Sequence, residues 1–289
     1  MLIGPYSISV IETSHFGLDG GAMFGVVPKT LWERAYAAPD ARNRIPMSTR
    51  SLLLRSDDRV ILVDTGNSPL MHPKLAEIYG LDFSKVGIEA SLAHAGVKPE
   101  EVTDVILTHL HFDHAGGTTV KDGDTWRLRF PNAWHYVQKE QWEWAHNPTE
   151  KDRASFIPEF YDPIREYGRL ELLDGPGEIM PMITVDTLYG HTAALQSVKI
   201  SDGTQTIYFP ADLFPTAAHL PVPYGMGYDN HPLTTMAEKH QVLPQAVDEN
   251  WIIIFEHDAL RQAGTVEFTE KGARLKDAIT ITEFGAPEA

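Results

Sequence analysis

The chain has 289 residues, 43% of them hydrophobic and 22% charged, the balance of a folded globular protein long enough for one large core or two smaller ones. Its 40 acidic against 24 basic residues give a net charge of −16, which argues against nucleic acid as a substrate, because neutralising phosphates takes clustered Lys and Arg, and against anionic membranes as a partner. With no cysteine there is no disulfide, no thiol nucleophile and no thiolate metal ligand, so any metal would be held by His, Asp and Glu, a donor set suited to Zn, Mn, Fe or Co.

The opening residues, Met1 to Tyr6, lack a basic stretch followed by a long apolar run, and no segment approaches the ~20 apolar residues of a membrane span, so a cytoplasmic location is expected. Residues 17–43, with Gly20-Gly21 and several aromatics, read as an ordered loop. Apolar or alternating runs predict strands over 51–54, 60–64, 104–108, 183–188, 196–200, 206–209 and 251–255. Two of these, 60–63 and 252–255, are continuously apolar and suit fully buried strands. Asp57-Asp58 and Asp202-Gly203 read as hairpin turns. Helices are expected over 85–94, 139–145, 154–166 (interrupted at Pro158 and Pro163) and 234–247. Residues 118–177 are rich in Trp, Tyr, Phe and Pro, the composition of a lid or binding insertion near an active site. Strands and helices interleave with no flexible linker, so residues 1–289 read as a single mixed α/β domain.

Five short clusters carry chemistry: Val63-Asp64-Thr65-Gly66, the run Thr-His-Leu-His-Phe-Asp-His-Ala-Gly-Gly at 108–117, Gly190-His191-Thr192, Ala211-Asp212, and Glu256-His257-Asp258. His109 and His111 stand at i and i+2 after a buried strand, and on extended chain that spacing aims both imidazoles to one side. Asp113-His114 follow a bend and can face a second metal, while Gly116-Gly117 permit tight backbone beside the site. Single His or Asp residues are ordinarily surface or satisfied core groups. Five histidines and two aspartates in this order, each next to a strand, instead read as ligands for two metal ions around a shared hydroxide. The remaining histidines read as exposed or locally bonded, His135 among them on a strand.

These five clusters resemble the five motifs of the metallo-β-lactamase superfamily, over residues from about 49 to 257. The resemblance implies a four-layer αββα sandwich with two metal ions, Zn first with Fe, Mn or Co as alternatives, at one end between two mixed sheets. It assigns His109, His111 and His191 to the first ion, Asp113, His114 and His257 to the second, and Asp212 to both. Asp64 corresponds to a buried carboxylate that orients the ligand loop. The implied mechanism is attack on an ester carbonyl by a hydroxide shared between ions ~3.5–4 Å apart, with Asp113 passing a proton to the leaving alkoxide. Asp113 and Asp212 are the catalytic candidates. The β-lactamases that use a Cys ligand are excluded by composition. Lactonases, glyoxalase II, organophosphate hydrolases and the tRNA-processing nuclease share a full dinuclear set. The acidic balance disfavours the nuclease, and no Arg/Lys cluster after Asp212 suits an anionic glutathione thioester.

A second resemblance covers the run from Asp19 to Pro28, with Trp32 and Asn43. It is similar to the N-terminal segment of quorum-quenching N-acyl-homoserine-lactone lactonases and methyl-parathion-hydrolase-like proteins, which lies over the metal site. By that resemblance Met23 and Phe24 contact substrate; as plain residues they read equally as core. Pro215 occupies the place where some of these lactonases have a substrate-contacting tyrosine, which leaves His219 and Tyr228 as the nearest replacement donors. The expected reaction is opening of lactones, N-acyl-homoserine lactones above all, with organophosphate, aryl-ester or thioester hydrolysis as the alternative. The expected assembly, also by resemblance, is a homodimer. Trp126, Trp134, Trp142, Trp144, Phe156, Phe160 and Tyr161 read as core, as a dimer surface or as an acyl pocket.

Overall fold

The computed structural model describes residues 1–281 and the backbone of the strand Glu283–Phe284. The described residues form two compact units, each assembled from separated stretches: Met1–His15 and Thr49–Gly175 with Ile281 and the strand Glu283–Phe284 in the first, Phe16–Ser48 and Pro176–Thr280 in the second.

The first unit is built on an eight-stranded sheet. Its order is Leu2–Ile3, Tyr6–Asp19, Arg44–Arg55, Val60–Val63, Asp104–Ile106, Trp134–Gln138 and Leu170–Leu173, with Glu283–Phe284 added parallel to Tyr6–Asp19. The turn at Asp57-Asp58 is a hairpin, since Arg55 pairs with Val60 in antiparallel register. Val60–Val63, Asp104–Ile106, Trp134–Gln138 and Leu170–Leu173 run parallel, and parallel neighbours need crossovers. The helices Ile88–His94 and Lys139–His146 lie in two of those crossovers. The core gathers Leu53, Leu62, Val105, Leu107, Leu110, Phe130 and Tyr161, all shielded from solvent. Leu107 and Leu110 flank Thr108-His109, and Leu110 directly precedes His111, so burial of these apolar positions fixes the path of His109 and His111.

Two expectations are corrected here. Residues 118–177, whose composition suggested a lid or binding insertion, are built into the first unit as far as Gly175, with Phe156 packed on His111 at 4.7 Å between ring centroids. They fold as the hairpin Thr119–Asp122/Thr125–Leu128, the helix Lys139–His146 and two strands of the main sheet. Of the aromatics there, Trp142, Phe156, Phe160 and Tyr161 are buried as core. Residues 17–43 are not a plain loop either. They complete the long strand Tyr6–Asp19 and form the helices Gly20–Phe24 and Lys29–Ala35, the first capped by Asp19, whose carboxylate accepts from Ala22 N at 2.9 Å.

The second unit carries a seven-stranded sheet, ordered Gly177–Met180, Ile183–Leu188, Leu195–Ser201, Thr206–Phe209, Ile252–Ile254, Ala263–Thr269 and Gly272–Ile279. The turn at Asp202-Gly203 forms because Gly203 takes φ +86 while Asp202 Oδ1 accepts from Thr204 N and Gln205 N at 2.8 and 2.9 Å. Thr206–Phe209 and Ile252–Ile254 are parallel, and the helix Pro232–Asp248 makes the crossover between them. Pro232 supplies a preset φ at the helix start, where its missing N–H costs nothing. Among the described residues no helix is long and apolar enough to cross a membrane.

Candidate metal centre

In the first unit Asp64 is the organising group. Its side chain is fully buried, and it accepts from Thr108 N at 2.7 Å, Thr108 Oγ1 at 2.6 Å and His114 Nδ1 at 2.9 Å. Its backbone is left-handed at φ 57, a conformation asparagine and aspartate tolerate better than most residues. His109 Nε2 and His111 Nδ1 approach to 3.0 Å, and both rings are buried. Asp113 and His114 sit on a single turn of helix, Phe112–Ala115, and offer ligand atoms close to one another. Behind that turn Thr65 donates from N and Oγ1 to the His114 carbonyl at 2.8 and 2.9 Å. The backbone of Gly117 lies so close to the Thr65 carbonyl that a β-carbon would collide with it, which is why the motif ends in glycine. Arg129 Nε then donates to the Gly117 carbonyl at 2.6 Å.

In the second unit Asp212 lies between two imidazoles: Oδ2 is 3.0 Å from His191 Nε2 and Oδ1 is 3.2 Å from His257 Nε2. Asp212 follows Ala211, which is held at φ 47. A left-handed alanine costs of order 1 kcal/mol, strain of the kind that collects at functional positions. His191 Nδ1 donates to Asp229 Oδ1 at 3.1 Å, and Asp229 Oδ2 accepts from Met226 N at 3.1 Å. His257 Nδ1 donates to the Ser48 carbonyl at 3.0 Å. The turn before His191 is clasped by the helix Pro232–Asp248: Glu238 accepts from Gly190 N at 3.2 Å, and a β-carbon on Gly190 would come within 2.6 Å of Thr235 Cα.

The donor set fits metal ions. His114, His191 and His257 each turn Nδ1–H to a fixed acceptor, which leaves Nε2 as the lone-pair nitrogen. His191 is buried, which disfavours its charge, yet the carboxylates of Asp212 and Asp229 outweigh burial and push it up to about 9. The pocket therefore favours positive charge, and a divalent cation would replace that proton. Asp229, Glu238 and the Ser48 carbonyl were not legible as functional groups. Asp229 lies in a glycine-flanked stretch, Gly225 to His231, that matches no motif.

The expected substrate contacts are placed as follows. Phe24 is fully buried, stacked on Trp32 with centroids 5.6 Å apart and on His219 at 4.5 Å. Met23 is buried, and its carbonyl accepts from His219 Nε2 at 2.8 Å. His219 Nδ1 accepts from Thr216 Oγ1 at 2.7 Å, so both ring nitrogens are engaged within the unit. Burial, with Lys239 nearby, pushes His219 down to about 4 and keeps it neutral. Met23, Phe24 and His219 are thus buried and engaged with one another, while Tyr228 is exposed. Pro215 accepts from His257 N at 3.0 Å through its carbonyl, a backbone contact that needs no particular side chain.

Residues 44–257 match the family model of the metallo-β-lactamase superfamily. An N-acyl homoserine lactonase of Bacillus cereus is 27% identical over 231 residues, which is 75% of this chain and 84% of that protein. A crystal structure of a probable metal-dependent hydrolase from Staphylococcus aureus aligns with a TM-score of 0.85 at 28% identity, over 97% of this chain and 98% of that one. AidC, a dizinc quorum-quenching lactonase, aligns with a TM-score of 0.80 over 98% of this chain and 97% of that one, and its 20% identity makes the likeness one of fold.

Proposed function

Because the chain belongs to the metallo-β-lactamase superfamily, we propose that this hydrolase opens lactone esters, with N-acyl-homoserine lactones as the substrate class. The similarity to the Bacillus cereus lactonase supports that choice. We assign His109, His111 and His191 to one divalent ion, Asp113, His114 and His257 to a second, and Asp212 to both, with Zn ahead of Fe, Mn or Co. The observation that carries the two-ion reading is the split of Asp212, one carboxylate oxygen to each of two buried imidazoles that both present Nε2.

Two divalent ions held there would supply a hydroxide nucleophilic at neutral pH and Lewis acidity toward the ester carbonyl. The chain's own residues do the rest. Asp64, Asp229 and the Ser48 carbonyl hold three imidazoles in one tautomer and one orientation. Asp113, on its single helical turn, takes up a proton as the nucleophile forms and returns it to the leaving alkoxide. Phe112, on that same turn, stacks on Tyr79 with ring centroids 4.8 Å apart. Tyr228, an exposed residue, is proposed to meet the substrate carbonyl in place of the tyrosine whose position Pro215 holds.

The test is a hydrolysis panel on metal-verified protein: an N-acyl-homoserine lactone, a phosphotriester, an aryl ester and a thioester. Ring opening faster than the other three supports the reading. Preference for the phosphotriester, aryl ester or thioester would reassign the substrate class. No turnover on any of them with two metals bound would make the protein a binding module.

A further inference from the structure

A cavity of about 360 Å³ in the first unit has no part in the reaction above. None of the assigned metal ligands lines it; Arg129, whose Nε donates to the Gly117 carbonyl, forms part of its wall. The size is within the ~300–1,000 Å³ common for small-molecule sites. Leu70, Phe83 and Val120 give it apolar walls, and Arg129 and Lys121 bring two cations to it in a chain whose net charge is −16.

Arg129 is the informative residue. Its side chain is only 6% exposed, yet Glu89, its one carboxylate partner among the described residues, is 62% exposed at the rim. Nε is committed to the Gly117 carbonyl at 2.6 Å and Nη2 reaches the Thr119 carbonyl at 3.4 Å, while Nη1 pairs with Glu89. A guanidinium has five N–H groups, so these contacts leave donors to spare. A buried cation whose counter-charge, among the described residues, is one exposed surface carboxylate can exchange it for another carboxylate of better fit. Asn67, also on the wall, is 1% exposed; its Nδ2 donates to Ser14 Oγ at 3.0 Å, and Oδ1 has no hydrogen-bond donor. Buried acceptors of this kind are expected to be satisfied, so a ligand hydroxyl would complete it.

We propose that this cavity is a second ligand site, for a small monocarboxylate with an apolar body, its carboxylate on Arg129 in place of Glu89 and a hydroxyl on that body at Asn67. The site stands whether or not the substrate is a lactone. Hydroxy carboxylates are also what lactone opening releases, so the site has the chemistry to sense product.

The experiment is calorimetric titration of the metal-loaded protein with octanoate, 3-hydroxyoctanoate and 1-octanol. Octanoate binds, 3-hydroxyoctanoate binds more tightly, and 1-octanol does not bind. Glu89→Gln removes the competing carboxylate and tightens octanoate binding about tenfold, while Lys121→Met weakens it by a similar factor. Carboxylate binding at the metal ions would be indifferent to both substitutions. Arg129→Lys abolishes binding; if that variant does not fold, the opposed shifts of the Glu89 and Lys121 variants remain decisive. Absence of octanoate binding, equal binding of 1-octanol, or an unchanged affinity in Glu89→Gln overturns the proposal.

Discussion

Replacing Asp64 by Asn separates the orienting role of this carboxylate from its structural one. The native side chain accepts three hydrogen bonds, from Thr108 N, Thr108 Oγ1 and His114 Nδ1, at a fully buried position. Alanine would strand all three donors, at about 1–3 kcal/mol each, and would cost about a third or more of a ~5–15 kcal/mol stability. Asn is milder. Its Oδ1 still accepts from Thr108 N, and its Nδ2 can donate to Thr108 Oγ1, so the loss of stability is about 1–2 kcal/mol. Toward His114, however, Nδ2 is a donor where an acceptor stood. His114 must then accept at Nδ1 and carry its proton on Nε2, the nitrogen assigned to the metal. The expected result for Asp64→Asn is a folded protein that has lost about 10–100-fold in affinity for one metal ion. Chelator competition on the metal-loaded protein, with metal content measured and unfolding followed in parallel, reads both quantities. Native affinity for both ions in a folded Asp64→Asn protein would refute the tautomer argument.

Other outcomes follow from the same contacts. His135 and His219 are buried and held down to about 4, by burial first in each case. Since the unfolded chain binds protons on them near pH 6.5, their contribution is fully present above pH 6.5 and is lost as pH falls toward 4, by about 2 kcal/mol each at pH 5. Urea unfolding at pH 7 and pH 5 measures this, and His135→Leu should flatten the dependence; an unchanged pH slope in that variant would contradict it. Phe24→Ala should destabilise by about 3–5 kcal/mol, because Phe24 is sandwiched between Trp32 and His219; a loss under about 1 kcal/mol in urea unfolding would show the stack to be dispensable. Asp229→Ala should weaken metal binding about 10–100-fold through His191 while leaving the sheet intact, and unchanged chelator competition would reduce Asp229 to a loop residue.

How much was legible depended on how local the determinant was. The strands Ile183–Leu188 and Thr206–Phe209 coincide with their apolar patterns, and the metal-type side chains announce themselves because His and Asp cluster beside apolar runs. Tyr6–Asp19 escaped notice because Glu12, Ser14 and His15 break its apolar pattern. The structure buries Glu12 and Ser14 against partners distant in sequence: Arg50 Nη2 lies 3.3 Å from Glu12, and Ser14 shares a 2.7 Å hydrogen bond with Thr49. The C-terminal hairpin, Ala263–Thr269 with Gly272–Ile279, was missed for the opposite reason: the strand Gly272–Ile279 fully buries only Ala273, and Arg274, Lys276 and Asp277 break up its apolar residues. Residues 118–177 looked like a lid because aromatic and proline content resembles that of binding loops. Their placement in a parallel sheet depends on pairing with Asp104–Ile106, which no local pattern records. Asp229 was invisible because its role comes from meeting His191 from 38 residues away.

The assignment of seven ligands to two ions is tested most directly by anomalous scattering from a crystal of the native, metal-loaded protein. Two peaks are expected, one bound by His109, His111 and His191 and the other by Asp113, His114 and His257, with Asp212 touching both. A single peak, or a second peak away from His114 and His257, would contradict the dinuclear centre.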